Sequence, residues 1–227
     1  MACALIGSSA CSRPKPEAAG ENNAAAPPKR AAGAPSPAAG AARTAAEAVP
    51  PSLADAGDYA ENIYDYARAK DWKDAEAKLV LLKAAVKQLR TVITTESPEV
   101  DRIDKDVATL DPAVTARDQR AATRAANQVT RDVAELSATY KLPVPVEVTR
   151  LDYYGRELEI WAETGNGDKL NATAKAMRHD WDALRPAVEA RNHAEAEKFG
   201  ALVAQVEKAG TPADFARLAK PVLDEVD

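Results

Sequence analysis

Residues 52–227 are predicted to form one all-α domain, a helical bundle built from two similar helical-hairpin-plus-helix units. Apolar side chains recur along this part of the chain at the three- and four-residue spacing of amphipathic helices. Glycine is scarce there, and the period-two clusters of β-branched residues that mark strands are absent. The domain is long enough to bury a substantial core without disulfide or metal crosslinks.

Turn and breaker residues divide this domain into its predicted helices. The stop signals are Ser97-Pro98, Leu142 to Pro145, Gly165 to Gly167 and Gly210 to Pro212. Asp111 is predicted to cap a helix that begins at Pro112, whereas Arg185 offers no cap before Pro186, so a kinked continuation is expected at Pro186. The predicted helices are 53–70, 72–95, 99–140 with a break at Pro112, 146–163, 168–208 with a break at Pro186, and 212–226.

An internal correspondence in the sequence predicts two repeat units, about 53–140 and 146–226. The offset is 74 between the hexapeptides 112–117 and 186–191, which predicts an extra segment around 91–111 in the first unit. A chance register between two Ala-rich amphipathic helices is the alternative explanation. The main correspondence has an offset of 95 positions, continues into the next predicted helix, and begins with Tyr59, Ile63 and Tyr66 aligned to Tyr154, Leu158 and Trp161.

Residues 12–51 are predicted to be a disordered linker. They are almost wholly Ala, Pro, Gly and charged residues, with no aromatic side chain, and cannot bury enough apolar surface to fold. Repeated prolines bias the segment toward extended conformations. About 40 residues of such a chain span on the order of 35 Å, and roughly 120 Å when fully extended, which suits a domain held away from a surface.

The first eleven residues contain a short apolar run that ends in the small residues Ser9 and Ala10 and then Cys11. This segment resembles the signal of bacterial lipoproteins, in which the cysteine that ends the small-residue box is lipidated. The resemblance implies that Cys11 carries lipid and attaches the chain to a membrane. Ser12, in place of Asp, implies an outer-membrane location facing the periplasm.

Two features depart from that signal. Ser8 replaces the usual Leu, and the apolar core is short and lacks a basic start, so we expect the true start to lie upstream. A disordered tip that happens to hold a cysteine is the alternative. The only cysteines of the chain are Cys3 and Cys11, so the domain has no disulfide framework and no thiolate site.

Composition and spacing exclude several classes of function. No apolar stretch after residue 11 approaches the roughly 20 residues that cross a bilayer, and a net charge of −5 argues against nucleic-acid binding. His179 and His193 stand 14 residues apart on one predicted helix, too far to share a metal ion. The sequence contains no catalytic, haem or phosphate-loop signature. We therefore expect no enzyme activity, no catalytic residue, no metal and no cofactor.

Five aromatic residues are predicted to lie on the inner helix faces, where they line a ligand pocket or simply fill the core. Tyr64 and Tyr153 fall off these faces and are expected to be exposed. The candidate pocket residues are Tyr59, Tyr66, Tyr154, Trp161 and Trp181.

Four arginines with spacings of 3, 4 and 7 are predicted to occupy one flank of a helix, within about a 60° arc at 100° per residue. Such a stripe either meets anionic headgroups or an acidic partner, or is a solvated face that neighbouring carboxylates neutralise in part. The arginines are Arg117, Arg120, Arg124 and Arg131.

Together these observations favour a membrane-anchored extracytoplasmic lipoprotein whose bundle is a non-catalytic binding or structural module for an envelope partner. The alternative is a periplasmic carrier or sensor that holds a small hydrophobic ligand or a metal between the two repeats. A cavity lined by Tyr59, Tyr66 and Trp161 would favour the carrier, and a tightly packed core would favour the binding module.

Overall fold

The computed structural model describes residues 48–93 and 96–226. The lipoprotein-like segment with Cys11 and nearly all of the predicted linker lie outside these ranges. The described residues form eight α-helices and no strand, which confirms the predicted all-α class. The helices are α1 (Pro51–Ala69), α2 (Trp72–Val92), α3 (Pro98–Thr115), α4 (Gln119–Ser137), α5 (Val146–Thr164), α6 (Gly167–Arg191), α7 (His193–Lys208) and α8 (Pro212–Val226).

Short polar side chains begin most of the helices. Each of these caps accepts a hydrogen bond from a backbone N–H of the first turn, which satisfies a donor that the helix itself leaves free. α1 instead begins with proline at its first position. α1 and α5 both end in a left-handed residue, Lys70 and Gly165. The side-chain caps are Asp71, Ser97, Asp118, Asn166 and Asn192.

The predicted break at Pro112 is wrong. α3 continues through Pro112 and ends at Thr115, and Arg117 then takes a left-handed conformation with φ 55° before Asp118 caps α4. An internal proline costs about 3 kcal/mol. Burial of Leu110 and Val114 on either side of it contributes about 1.5–3 kcal/mol for each side chain, enough to offset that cost.

α6 likewise continues through Pro186, as the expected kinked continuation requires, but the helix then ends at Arg191. The predicted single helix 168–208 is therefore divided at residue 192. Asn192 leaves the helical conformation, and its side chain accepts hydrogen bonds from the N–H groups of Ala194 and Glu195. This cap, which the sequence interpretation missed, begins α7.

The helices pack in two groups of four. In the first group α1 packs on α2 and α4, and α3 packs on the same two helices. In the second group α5 packs on α6 and α8, and α7 packs on the same two. Each group encloses its own apolar core, the first around Ile63 and Leu82 and the second around Met177 and Trp181. Each group therefore has four helices rather than a hairpin and one more helix.

α4 and α5 join the two groups. Ile160 of α5 is buried in the first core, and Trp161 contacts both cores. The buried amide of Asn127 on α4 donates to the carbonyl of Tyr153 at 3.3 Å and lies 3.4 Å from a carboxylate oxygen of Glu157. These contacts combine apolar burial with polar bonds that fix the register of α4 against α5.

None of the helices in the described part of the chain has the length and apolar character that crossing a bilayer requires.

Candidate functional site

An open polar cleft of about 490 Å³ lies between α3 and α4. α3 and α4 pack side by side. Side chains spaced about one turn apart on α3 therefore face side chains with the same spacing on α4 across the cleft. Every lining side chain is charged or carries an amide, a composition that suits a polar ligand. The lining residues are Arg102, Lys105 and Asp106 of α3 and Gln128, Arg131, Asp132 and Glu135 of α4.

Two carboxyl groups form the floor of this cleft. The Asp132 side chain is only 7% exposed, and the Asp106 carboxyl interacts with it directly. Burial, and then the hydrogen bond and negative charge of Asp132, raise the pKa of Asp106 to about 7, against the opposing effect of Arg102 and Arg131. The Asp106 carboxyl is therefore partly protonated near neutral pH. Oδ2 of Asp106 is buried, and no described residue other than Asp132 offers this carboxyl a hydrogen bond.

Three cations surround this acidic floor. Arg102 lies 3.7 Å from both Glu99 and Asp132, at the outer limit of an ion pair. Lys105 and Arg131 are exposed, and neither forms an ion pair with a carboxylate in the described ranges. Their charges are therefore available to an anionic group that enters the cleft.

Glu135 closes one side of the cleft through a neighbouring helix. Its two carboxylate oxygens accept hydrogen bonds from the Arg150 guanidinium of α5, at 3.1 and 3.0 Å. This bidentate pair neutralises Glu135 and ties the cleft to the joint between the two helix groups.

A second polar cluster lies where α1 faces α5. The Tyr64 hydroxyl donates to Glu159 at 2.6 Å, and Arg68 pairs with Glu163 and lies 3.7 Å from Glu159. The pKa of Tyr64 is raised, first by burial and then by the Glu159 charge. The hydroxyl therefore stays protonated and remains a hydrogen-bond donor.

The buried Arg156 extends this second cluster. Its guanidinium lies 2.8 Å from Asp152, 3.7 Å from Glu61 and over the Tyr64 ring. Together with α8 residues these groups line a smaller cleft of about 290 Å³. The charges here are largely paired within the protein, so the cluster holds helices together rather than leaving charge for a ligand.

The five predicted pocket aromatics do not converge on one cavity. Tyr59 and Tyr66 pack at the edge of the first core, and Tyr154 packs at the edge of the second, where its hydroxyl donates to Asp180 at 3.0 Å. Trp181 is fully buried in the second core against Phe199. The clefts described above are lined by other residues. The predicted exposure of Tyr64 and Tyr153 is wrong, because both side chains are buried between helices.

The predicted arginine stripe is only partly correct. Arg117 lies outside α4, in the left-handed turn before it, and contacts Glu76 at 3.5 Å. Arg120, Arg124 and Arg131 are on α4 and exposed. The Arg124 guanidinium lies 4.8 Å from the centre of the Trp161 ring, a cation–π contact that occupies it. Only Arg131 of the four lines the α3–α4 cleft.

His179 and His193 are both exposed. His193 has ligand atoms within 4.8 Å of those of Glu189 and Glu197, all exposed. Arg185 lies 3.8 Å from Glu189 and 3.1 Å from Glu197 and already balances these carboxylates. The arrangement is a charged surface at the α6–α7 bend.

The sequence interpretation missed the acidic floor of the α3–α4 cleft, although a signal was present. Asp132 occupies a core-facing position of α4, since residues 129, 133 and 136 around it are buried and apolar. A carboxylate within an apolar helical stripe costs folding free energy unless it has a partner. That position therefore marks either a buried pair or a binding group.

Comparisons with protein-family models, with curated proteins and with solved structures found no match.

Proposed function

We propose that this protein is a membrane-anchored, non-catalytic binding module that presents the α3–α4 cleft to a component of the bacterial envelope. The observation that carries the proposal is the cleft itself, whose floor is the buried Asp132 and the half-buried Asp106. Above them stand two cations that make no ion pair with described carboxylates. Buried ionisable groups in a cleft are a common mark of binding sites.

The position of the cleft supports this proposal. A Cβ added at Gly57 near the start of α1 would lie 3.3 Å from Val133, and Gln119 donates to the Arg68 carbonyl near the end of α1. α1 therefore runs antiparallel to α4, and its start lies at the end of α4 that carries Asp132. The described chain therefore begins on the side of the helical domain that carries Asp132.

We also infer that the two helix groups are copies of one unit. The caps that precede α1, α2 and α3 stand at residues 50, 71 and 97, and those that precede α5, α6 and α7 stand 95 residues later, at 145, 166 and 192. The predicted offset of 74 pairs α3 with α6 and so has no place in this correspondence.

The same offset joins side chains across the α1–α5 contact. Tyr64 donates a hydrogen bond to Glu159, Arg68 pairs with Glu163, and Glu61 lies 3.7 Å from Arg156. The two members of each pair are 95 residues apart and so are counterparts in the two groups. Equivalent residues meet in this way when two copies pack about a two-fold axis. An internal pair of bundles fits an interaction module better than it fits a single enclosed site.

The carrier alternative has less support. The aromatic residues that would line its pocket are divided between two cores, and Trp161 alone of the five contacts both. The α3–α4 cleft has a charged lining that a hydrophobic ligand does not match.

Replacing the candidate lipidated residue tests the anchor. Cys11→Ser is expected to leave the helical domain folded but move the protein from the membrane fraction to the soluble fraction. The mass of the N-terminal peptide from the native protein should show Cys11 with diacylglycerol and an acyl chain. Unchanged membrane retention of the variant, or a free Cys11 thiol in that peptide, would refute the anchor.

Binding through the cleft is tested separately in the Cys11→Ser background, where no lipid masks the contact. We expect Arg131→Glu to reduce co-sedimentation with native envelope vesicles at least fivefold. Arg217→Glu is the matched control, because Arg217 is exposed on α8, lies outside the α3–α4 cleft and pairs with Asp214 of its own helix. An equal loss in both variants, or in neither, would contradict a specific role of the cleft.

A further inference from the structure

We infer that the α3–α4 cleft recognises a phosphorylated polyol, a ligand with one phosphate group and neighbouring hydroxyl groups. The inference rests on the proposed function, because it takes this cleft as the binding surface. A phospholipid headgroup and a soluble polyol phosphate share this chemistry.

The rim of the cleft supplies the phosphate site. Arg131 and Lys105 project from facing helices, α4 and α3, and neither is committed to a carboxylate in the described ranges. A guanidinium binds phosphate through a planar fork of N–H donors, and an ammonium adds a point charge. Arg102 adds a third cation whose contacts with Glu99 and Asp132, both at 3.7 Å, are weak enough to be exchanged.

The floor of the cleft supplies groups for hydroxyls. Oδ2 of Asp106 is buried with no hydrogen-bond partner other than the Asp132 carboxyl in the described structure, and Asp132 is itself more than nine-tenths buried. A carboxyl pair in which Asp106 is partly protonated both accepts and donates hydrogen bonds, which matches the two roles of a hydroxyl group. The Gln128 amide on the same helix offers another donor and acceptor.

Other classes of ligand fit less well. The three cations oppose a metal ion or an amine, and the buried carboxyl pair repels a polyanion that reaches the floor. An apolar molecule finds only charged and amide side chains. The volume of about 490 Å³ falls in the range of small-molecule sites and admits a headgroup-sized polyol phosphate.

The test is calorimetric titration of the full-length Cys11→Ser protein with glycerol 1-phosphate and with myo-inositol 1-phosphate. Glycerol, inositol and inorganic phosphate are the matched partial ligands. We expect at least one of the two polyol phosphates to bind at least tenfold tighter than inorganic phosphate. A second arm uses vesicles of phosphatidylcholine with or without phosphatidylglycerol.

Variants separate the two parts of the site. Arg131→Ala and Lys105→Ala should each weaken polyol phosphate and inorganic phosphate alike, by about tenfold. Asp132→Asn should remove the advantage of the polyol phosphate over inorganic phosphate without weakening the binding of inorganic phosphate. Lys105 and Arg131 are exposed, so their removal should not affect folding, which circular dichroism verifies. Arg217→Ala should have no effect.

Vesicle binding that depends on phosphatidylglycerol and on Arg131 would assign the ligand to a lipid headgroup, whereas binding of the free compound alone would assign it to a soluble polyol phosphate. Both results support the inference. Binding of neither polyol phosphate more tightly than phosphate, or no response to the variants, overturns it. If Arg131→Glu still lowers envelope co-sedimentation in that case, only the ligand class is wrong; if it does not, the proposed function fails as well.

Discussion

At the scale of single residues, Asp132 decides the chemistry of α4. The residue lies among buried apolar side chains, where an unpaired carboxylate would cost several kcal/mol. Asp106 reduces that cost by holding a proton, and Arg102 and Arg131 add positive charge nearby. The sequence shows Asp132 on the apolar stripe, but its partner comes from a different helix. The floor of the cleft was missed because the periodicity of one helix does not show which residue of another helix will pair with it.

The Asp106 carboxyl gives a pH dependence whose sign follows from its raised pKa. Between about pH 4 and about pH 7 the folded state binds a proton that the unfolded state has lost, so stability falls as pH rises through this window. Asp106→Asn keeps a donor toward Asp132 but cannot ionise. We expect the variant to be more stable than the native chain at pH 8 by about 1–2 kcal/mol, allowing for the partial exposure of Asp106.

Urea unfolding at pH 4.5 and pH 8 checks this prediction. The native protein should lose more stability between the two pH values than Asp106→Asn does. Glu61, whose pKa is raised chiefly by burial, leaves a residual slope in both proteins. Identical slopes would mean that Asp106 ionises normally in the folded state.

At the scale of helices, local signals located most elements but misplaced two ends. The stops at Pro98, Gly165 and Gly210 were predicted because proline and glycine act within their own turn. α3 continues through Pro112 and α6 through Pro186. In each helix the core contacts on both sides of the proline outweigh the backbone hydrogen bond that the proline removes. The cap at Asn192 looked like one more polar residue in a charged run. The segments that form helices were therefore predictable from the sequence. The helix ends that depend on tertiary packing were not.

The crossing of α5 and α8 depends on a glycine. A Cβ at Gly155 would lie 2.6 Å from Cδ2 of Leu223 and 2.9 Å from its Cγ, closer than real contacts allow. Gly155→Ala gains helix propensity of about 1 kcal/mol but must displace Leu223. We expect a net loss of about 1–2 kcal/mol in unfolding free energy, which chemical denaturation measures.

A double-mutant cycle identifies the cause of that loss. Leu223→Ala opens the space, so Gly155→Ala in that background should stabilise the protein instead. Gly167→Ala is the matched control, because nothing lies within 4 Å of a Cβ at the first position of α6. If Gly155→Ala stabilises the native background, the close approach of α5 and α8 carries no energetic weight.

At the scale of the whole molecule, the correspondence between the two groups of helices could be predicted from the sequence only in part. The offset of 95 was visible in the first helices because aromatic and apolar positions recur there. The ion pairs between counterparts, such as Arg68 with Glu163, were not visible, since equivalent positions carry different residues. Opposite charges at equivalent positions are what two packed copies need where they meet, because identical charges would repel across the contact.

The packing of the first group predicts that it folds by itself. α1 to α4 enclose one core in which each helix contacts two others, so the fragment 48–141 should be helical and unfold cooperatively in urea. It should be less stable than the full chain by about 2–4 kcal/mol, because Ile160 and Trp161 no longer cover that core. The shorter fragment 48–117 lacks α4, which packs on both α1 and α3, and should show no cooperative transition by circular dichroism. A disordered fragment 48–141 would mean that the two groups share a single folding unit.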